Sequence, residues 1–100
     1  MSSDTIMQLN YSQTERVIQH GQIKQNTTYY SIILKPNELI VRDKHYPLTQ
    51  IYDISYRHLS SSLYLFYLYT ASGVLTFNTY ENPKHFKEAV QTQIKTNLFL

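Results

Sequence analysis

The chain has 100 residues, of which 42% are hydrophobic, nine are Lys or Arg, seven are Asp or Glu, and none is cysteine. This length suits one domain with a single core, and the lack of cysteine excludes disulfides and thiolate metal sites. The formal charge of +2 is spread along the chain without a basic stripe, so the sequence does not indicate a nucleic-acid binder.

The amino-terminal segment shows no targeting signal. It contains Asp4 and no apolar run of signal-peptide length, and nowhere do about 18 uninterrupted apolar residues occur. We therefore expect a cytoplasmic protein.

Residues 1–13 are polar, with Ile6, Met7 and Leu9 as isolated apolar positions. We expect them to form a flexible N-terminal arm that precedes a single domain over residues 14–100.

The segment 14–25 fits two structures. Ser12 and Glu15 have the spacing of a capping box for a short helix, whereas Val17 to Ile23 could form an edge strand. Because so few strong apolar anchors would leave a short helix unsupported, we expect the strand.

Short strands and turns alternate in the next part of the chain. The β-branched and aromatic run to Leu34 predicts a strand, and the proline in Lys35-Pro36-Asn37-Glu38 predicts a turn. The predicted elements are a strand at 29–34, its return at 39–42, a reversal at 43–44, and a short piece at 45–48 that Pro47 confines to an edge or a strand end.

Leu48, Ile51 and Ile54 recur every three residues, which does not fit a regular strand. We expect a turn or bulge near Thr49-Gln50, then a strand over 51–57 and a polar loop over 58–62.

The stretch LYLFYLYTASGVLTFNTY at 63–80 predicts a hairpin. Its first strand carries apolar side chains on both faces, so we expect it to be central in the sheet. Gly73 can take the positive φ that a tight connection after Ala71 and Ser72 demands.

A helix is predicted to end the chain. Asn82 is a good N-cap, Pro83 suits the first helical position, and the following residues give one apolar stripe with a basic opposite face. The stripe consists of Phe86, Ala89, Val90 and Ile94, with Asn97-Leu98 as its continuation. The predicted core is Ile33, Val41, Ile51, Ile54, Leu65, Phe66, Leu68, Leu75, Phe77, Phe86 and Val90.

In this order, the elements resemble the bacterial pleckstrin-homology-like (PH-like) domains. The resemblance covers residues 14–98 and is carried by ERVI at 15–18, SIILKPNELIV at 31–41, HYPLTQIYDI at 45–54 and the final hairpin and helix. It implies a mainly β fold of about seven antiparallel strands in a bent, partly open barrel, capped by one C-terminal helix. A small β-sandwich or another α+β roll is the rival fold.

Eukaryotic pleckstrin-homology domains that hold inositol phosphates use several basic residues around the first hairpin loop. Here Lys24 precedes Asn26-Thr27-Thr28, Lys35 lies near Glu38, and Asp43 separates Arg42 from Lys44. No loop has a basic cluster, so the sequence does not favour phosphoinositide recognition.

No catalytic, cofactor-binding or metal-binding residue is predicted. The four histidines, His20, His45, His58 and His85, contain no i, i+4 pair, and two glycines are too few for a phosphate loop. We therefore expect neither an enzyme nor a cofactor, and no small-molecule substrate is evident.

Ten tyrosines cannot all be interior in so small a domain. Most of these tyrosines are expected to pack on the sheet, and the alternative is that they form a surface that recognises a partner. We expect a non-catalytic module that binds a protein partner or its own copies through a sheet edge or a tyrosine-bearing face. The alternative is peripheral attachment to anionic lipid through the basic helix face. At the end of the chain, Phe99-Leu100 are expected either to fold back onto the core or to form an apolar docking tip.

Overall fold

The computed structural model describes residues 4–98, which form seven strands and one α-helix. The strands are β1 (Met7–Gln19), β2 (Gln22–Leu34), β3 (Glu38–Val41), β4 (Lys44–Pro47), β5 (Ile51–Ser60), β6 (Leu63–Thr70) and β7 (Gly73–Thr79). A 3₁₀ turn at Leu48–Gln50 precedes β5, and helix α1 spans Lys84–Leu98. The mainly β fold with one C-terminal helix is thus confirmed.

All seven strands belong to one antiparallel sheet with the order β4-β3-β2-β1-β7-β6-β5. The sheet is open, because β4 and β5 are its two edges. Helix α1 contacts both β1 and β5, so it lies across one face, called here the inner face, and joins the two halves of the sheet. The described domain measures 56 × 32 × 28 Å.

The two halves of the sheet, β4-β3-β2-β1 and β7-β6-β5, meet at a narrow seam between β1 and β7. Only Ser12 and Asn78 form a paired position there, whereas every other neighbouring pair of strands has at least three. The buried hydroxyl of Thr79 donates to the backbone oxygen of Asn10 at 2.6 Å, and Asn10 Nδ2 donates to Glu81 Oε2 at 2.8 Å. Side-chain hydrogen bonds therefore stabilise the seam, where few backbone pairs join β1 to β7.

The core lies between the inner face and α1. Alternate residues of each strand point inward, as the twofold period of a strand requires. The buried hydrophobic residues are Leu9, Tyr11, Ile32, Leu34, Leu39, Val41, Leu48, Ile51, Ile54, Phe66, Leu68, Phe77, Phe86 and Val90.

Three residues predicted for the core are only half-buried. Ile33 and Leu65 lie on the outer face, and Leu75 packs at the margin of the core. The prediction was wrong for Ile33 and Leu65 because runs of consecutive apolar residues do not reveal which of two alternating faces the helix covers.

The predicted flexible arm is also wrong over residues 7–13, which belong to β1. Leu9 and Tyr11 are buried because they pair with β2 and point to the inner face. The alternation of Met7, Leu9 and Tyr11 was the available strand signal. Residues 4–6 precede the strand, although the Ile6 amide donates to the Leu34 oxygen at 2.8 Å.

The segment 14–25 is strand rather than helix, but it forms the ends of β1 and β2 around a turn at His20-Gly21 instead of one edge strand. The candidate loop at 26–28 lies within β2. The register is unbroken from Met7–Leu34 to Gln19–Gln22. His20 (φ 51°) and Gly21 (φ 74°) connect the strands, and positive φ at both positions is typical of a type I′ turn. Residues 14–27 thus form a two-stranded ribbon that is exposed apart from the half-buried Val17.

The hairpin predicted at 63–80 is present, and its first strand, β6, is paired on both sides. Gly73 has a φ of 128°, as the predicted tight connection requires. Phe66 and Leu68 are fully buried on the inner face. The outer positions of β6 are only half-buried, so its two apolar faces are not equally covered.

The remaining turns agree with the predictions to within a few residues. The 3₁₀ turn and the register shift between Ile51 and Asp53 account for the threefold spacing of apolar residues. Pro47 ends the edge strand β4, as expected. The predicted loop at 58–62 is shorter, because β5 continues to Ser60.

Helix α1 has the predicted cap and stripe. Asn82 Oδ1 accepts from the Lys84 amide at 3.0 Å, and the Lys87 amide donates to the Pro83 oxygen at 2.9 Å. Phe86 and Val90 are buried, with Ala89 and Ile94 partly buried against the core. Leu98 is 73% exposed, so the stripe does not extend to it. The expectation for Phe99-Leu100 falls outside the described residues.

Candidate binding surfaces

Within residues 4–98, no three His, Asp or Glu side chains are grouped so that they could hold a metal ion. The histidines lie apart: His20 is in the ribbon turn, and the others have separate partners. His45 Nδ1 lies 3.0 Å from Glu38 Oε1, His85 Nδ1 lies 3.6 Å from Glu88 Oε1, and His58 stacks on Tyr64 at 4.6 Å between ring centroids.

The tyrosines divide between the core margin and the surface. Tyr11 is buried, Tyr29, Tyr52 and Tyr80 are exposed, and the rest are half-buried. The expectation that some tyrosines face outward is therefore confirmed. Tyr29 and Tyr80 line one cavity of about 300 Å³ together with Tyr11, whereas Tyr52 lies on β5, apart from that cavity.

The outer face of β6 is an apolar strip that no element within residues 4–98 covers. Leu63, Leu65, Tyr67 and Tyr69 follow one another along it, and Val74 lies beside Tyr69 on β7. The Tyr69 hydroxyl lies 3.3 Å from Ser55 Oγ, and the Tyr67 and Tyr69 rings stack at 6.3 Å. These contacts shield part of each side chain, which explains their intermediate burial.

The two sheet edges differ in how open they are. Strand β4 has four residues and ends in a proline, two features that discourage further pairing. Strand β5 has ten residues, contains no proline, and has its register shifts at Ile51/Asp53 and near its far end at His58/Ser60. The edge of β5 is therefore the longer template for an added strand.

A groove runs between the start of β5 and the second half of α1. One cavity of about 280 Å³ is lined by Tyr52, Asp53, Ile54, Gln91, Ile94 and Lys95. A second cavity of about 130 Å³ continues the groove toward the 3₁₀ turn, with Ile94 in both linings. The groove thus combines an apolar floor at Ile54 and Ile94 with Lys95 and Asp53 at its margin.

A second concave surface, called here the seam cleft, opens where β1 and β7 diverge. Beyond the Ser12–Asn78 pair, the register between these strands stops, and β1 continues into the ribbon. The resulting cleft has a volume of about 520 Å³. Its lining comprises Tyr11, Ser12, Gln13, Thr14, Val41, Arg42, Lys44, Leu75, Thr76, Phe77 and Asn78.

Arg42 adopts an unusual backbone conformation at the edge of this cleft. It is the first of the two residues that connect β3 to β4, and its φ is 60°. A type II′ turn usually has glycine at that position, and a bulky residue with positive φ costs roughly 1–3 kcal/mol. The guanidinium lies over the Tyr30 ring at 4.4 Å from the centroid, which recovers part of that cost.

Tyr11 forms the aromatic floor of the seam cleft together with Phe77. Their rings meet edge to face at 4.8 Å between centroids. Burial raises the pKa of the Tyr11 hydroxyl above its ordinary value of 10.0, while the nearby Arg42 charge acts in the opposite direction. The hydroxyl therefore remains a neutral donor at physiological pH.

Comparison of the chain with protein-family models, curated proteins and solved structures finds no match. Over the described part of the chain, α1 is too short and too polar to cross a membrane. The surfaces above must therefore be interpreted from their own geometry.

Sequence reasoning named some residues of the two concave surfaces, among them Ile54, Ile94 and Arg42, but did not bring them together. The groove at Ile54 and Ile94 depends on how α1 crosses the sheet. The seam cleft depends on the strand order, which places Arg42 near Tyr11 although 31 positions separate them in the chain. No local pattern in the sequence signals either arrangement.

Proposed function

We propose that this protein is a non-catalytic interaction module that binds an extended segment of a protein partner along the edge of β5. The observation that carries the proposal is the long edge of β5 beside the groove of α1, where the Ile54 amide is already bonded, to Asp53 Oδ1 at 2.8 Å. In strand addition, backbone hydrogen bonds supply affinity, and pockets for alternate side chains supply specificity. The β5 edge offers the first, and the groove at Ile54 and Ile94 offers the second.

The proposed partner carries an apolar side chain in its extended segment. Ile54 is buried and Ile94 partly buried at the base of the groove, so an inserted apolar side chain would contact apolar carbon on both walls. Tyr52 is 71% exposed at the margin, where its ring could cover such a side chain. Tyrosines of this kind are common at interfaces because one end is apolar and the other polar.

We also propose that the chain is a PH-like domain. The order β4-β3-β2-β1-β7-β6-β5 with one C-terminal helix supports this proposal. Fold alone does not specify a ligand, so the functional proposal depends on the β5 edge and not on the family.

A peptide-display selection on the purified protein tests the proposal. Selected peptides are expected to shift the backbone amide resonances of residues 51–57 and 91–95. The substitution Tyr52→Lys should weaken their binding about tenfold or more, because it removes aromatic cover and adds charge where apolar contact forms. Tyr29→Lys is the matched control, since Tyr29 is equally exposed but lies on β2.

Two other outcomes would replace the proposal. Concentration-dependent light scattering that Tyr52→Lys abolishes would make a second copy of the chain the occupant of the edge. Sedimentation with phosphatidylserine vesicles, but not phosphatidylcholine vesicles, at physiological salt would support the alternative of anionic-lipid attachment. Failure to select any peptide that shifts residues 51–57 would count against strand addition.

A further inference from the structure

The seam cleft is separate from the proposed peptide groove, because no residue of β5 or α1 lines it. It has the size of an ordinary small-molecule site, for which 300–1,000 Å³ is typical. Its walls are the diverging strands β1 and β7, and the β3–β4 turn faces them. The cleft exists because the ladder between β1 and β7 is limited to one pair.

The two charged side chains that line the seam cleft are both positive. Arg42 and Lys44 are in its lining, and no carboxylate is. Asp43 lies between them in the turn but outside the lining, and neither cation forms an ion pair with a carboxylate in residues 4–98. Cations that converge on a cleft without compensating carboxylates raise the local concentration of anions.

The floor of the cleft has an apolar part. Tyr11 and Phe77 pack edge to face there, and Val41 and Leu75 extend the apolar surface. Thr76 and Asn78 add hydrogen-bond donors at the β7 wall. A bare phosphate would leave this floor uncovered, and two cations are few for a polyphosphate. The lining therefore matches an anion of low charge with an apolar body.

The conformation of Arg42 is an independent observation. Glycine would fit its positive φ without strain, yet the position holds an arginine that lines the cleft and whose guanidinium lies over the neighbouring Tyr30 ring. Strained backbone that persists in this way is concentrated at functional sites. The planar guanidinium of arginine also matches a carboxylate with two parallel hydrogen bonds.

We propose that the seam cleft binds a small organic carboxylate, with its apolar body on Tyr11 and Phe77 and its carboxylate on Arg42. Lys44 adds a second positive charge at the rim. The proposal assigns this site a ligand class different from the extended peptide proposed for the β5 edge. It does not depend on peptide binding there.

Titration of the ¹⁵N-labelled protein with 3-phenylpropionate tests the site. Saturable amide shifts are expected at residues 11–14, 41–44 and 75–78. The neutral 3-phenylpropanamide, which has the same apolar body, should bind about tenfold more weakly, because it cannot form the charge-assisted bonds to Arg42. Inorganic phosphate at matched ionic strength should compete poorly, since it lacks the apolar body.

Arg42→Gln should weaken 3-phenylpropionate binding about tenfold or more, whereas Lys24→Gln, which makes the same charge change on the ribbon, should leave it unaltered. Arg42→Gly should also lose binding while keeping or raising the melting temperature, because glycine relieves the positive φ. Equal affinity for acid and amide, equal losses in the Gln variants, tighter binding of phosphate, or no saturable shift would each overturn the proposal.

Discussion

The two ends of the β1–β2 hairpin have the same secondary structure and opposite environments. Near Met7 and Leu34, the inner residues Leu9 and Ile32 are at most 2% exposed, under α1 and the rest of the sheet. Near the turn, Ile18 and Ile23 face each other across the same ladder and are 74% and 67% exposed. The pairing of β1 with β2 therefore continues into a region where the side chains of both strands are no longer buried.

This contrast shows that pairing alone is a weak source of stability here. A two-stranded ribbon without a covered face is marginally stable in water. The stability of the ribbon at 14–27 therefore depends on the buried end of the β1–β2 hairpin, to which it is joined. The buried end gains from apolar burial, at about 25 cal/mol per Å² removed from water. Substitutions at the two ends should consequently differ in their effect on the free energy of unfolding.

The largest change in the free energy of unfolding is expected from removing the main contact between helix α1 and the core. Phe86 is buried and meets Phe66 edge to face at 5.8 Å, so Phe86→Ala should lower the free energy of unfolding by about 3–5 kcal/mol. Urea denaturation followed by circular dichroism measures this change. Leu98→Ala on the exposed end of the same helix is the control, expected within about 0.5 kcal/mol of the parent. Equal losses in both variants would show that α1 does not cover the core in this way.

The two glycines provide the next comparison. Both have positive φ and open space around the position of a Cβ, so alanine would introduce backbone strain without a clash. Gly73→Ala, at the turn of the β6–β7 hairpin, should lower the free energy of unfolding by about 1–3 kcal/mol. Gly21→Ala should lower it by less than about 0.5 kcal/mol, because the ribbon end can open locally without unfolding the core.

Hydrogen exchange of the Gly21→Ala variant separates local from global opening. Amides of the ribbon should exchange faster than in the parent, while those of β6 are unchanged. A Gly21→Ala loss as large as that of Gly73→Ala would show that the ribbon unfolds together with the core.

A matched pair of conservative substitutions isolates burial itself. Ile32 and Ile23 lie on the same strand, one fully buried and one exposed. Ile32→Val should cost about 0.5–1.5 kcal/mol, as removal of one buried methylene-sized group does. Ile23→Val should change the free energy of unfolding by less than about 0.5 kcal/mol. Similar losses in the free energy of unfolding for the two variants, again from urea denaturation, would contradict the contrast between the buried and the exposed end of the hairpin.

The smallest expected effect is a dependence on alkaline pH. Because burial raises the pKa of Tyr11 in the folded protein, the unfolded chain releases this proton first as the pH rises through 10.0. The contribution of Tyr11 to stability is therefore complete below pH 10.0 and is lost above it. Tyr11→Phe should reduce the loss of stability that occurs as the pH rises above about 10. An unchanged loss in Tyr11→Phe would contradict the assignment.

Local chemistry was enough to determine most elements of this protein from its sequence. Pro36 and Pro47 restrict the ladder, Gly73 permits a positive φ, and Asn82 caps the helix whose stripe includes Phe86. Each of these signals acts within a few residues, so it can be interpreted from the sequence without knowledge of the fold. The same holds for the mainly β character of the chain.

Only the tertiary structure decided which face of each strand is covered and where the strands part. Ile32 and Ile33 are equally apolar, yet one is buried and the other half-buried, because α1 crosses one side of the sheet. The seam at Ser12 and Asn78 likewise depends on contacts between distant parts of the chain, and it is what opens the cleft beside Arg42. Alternation along a strand defines two faces, but only packing against another element selects the one that becomes core.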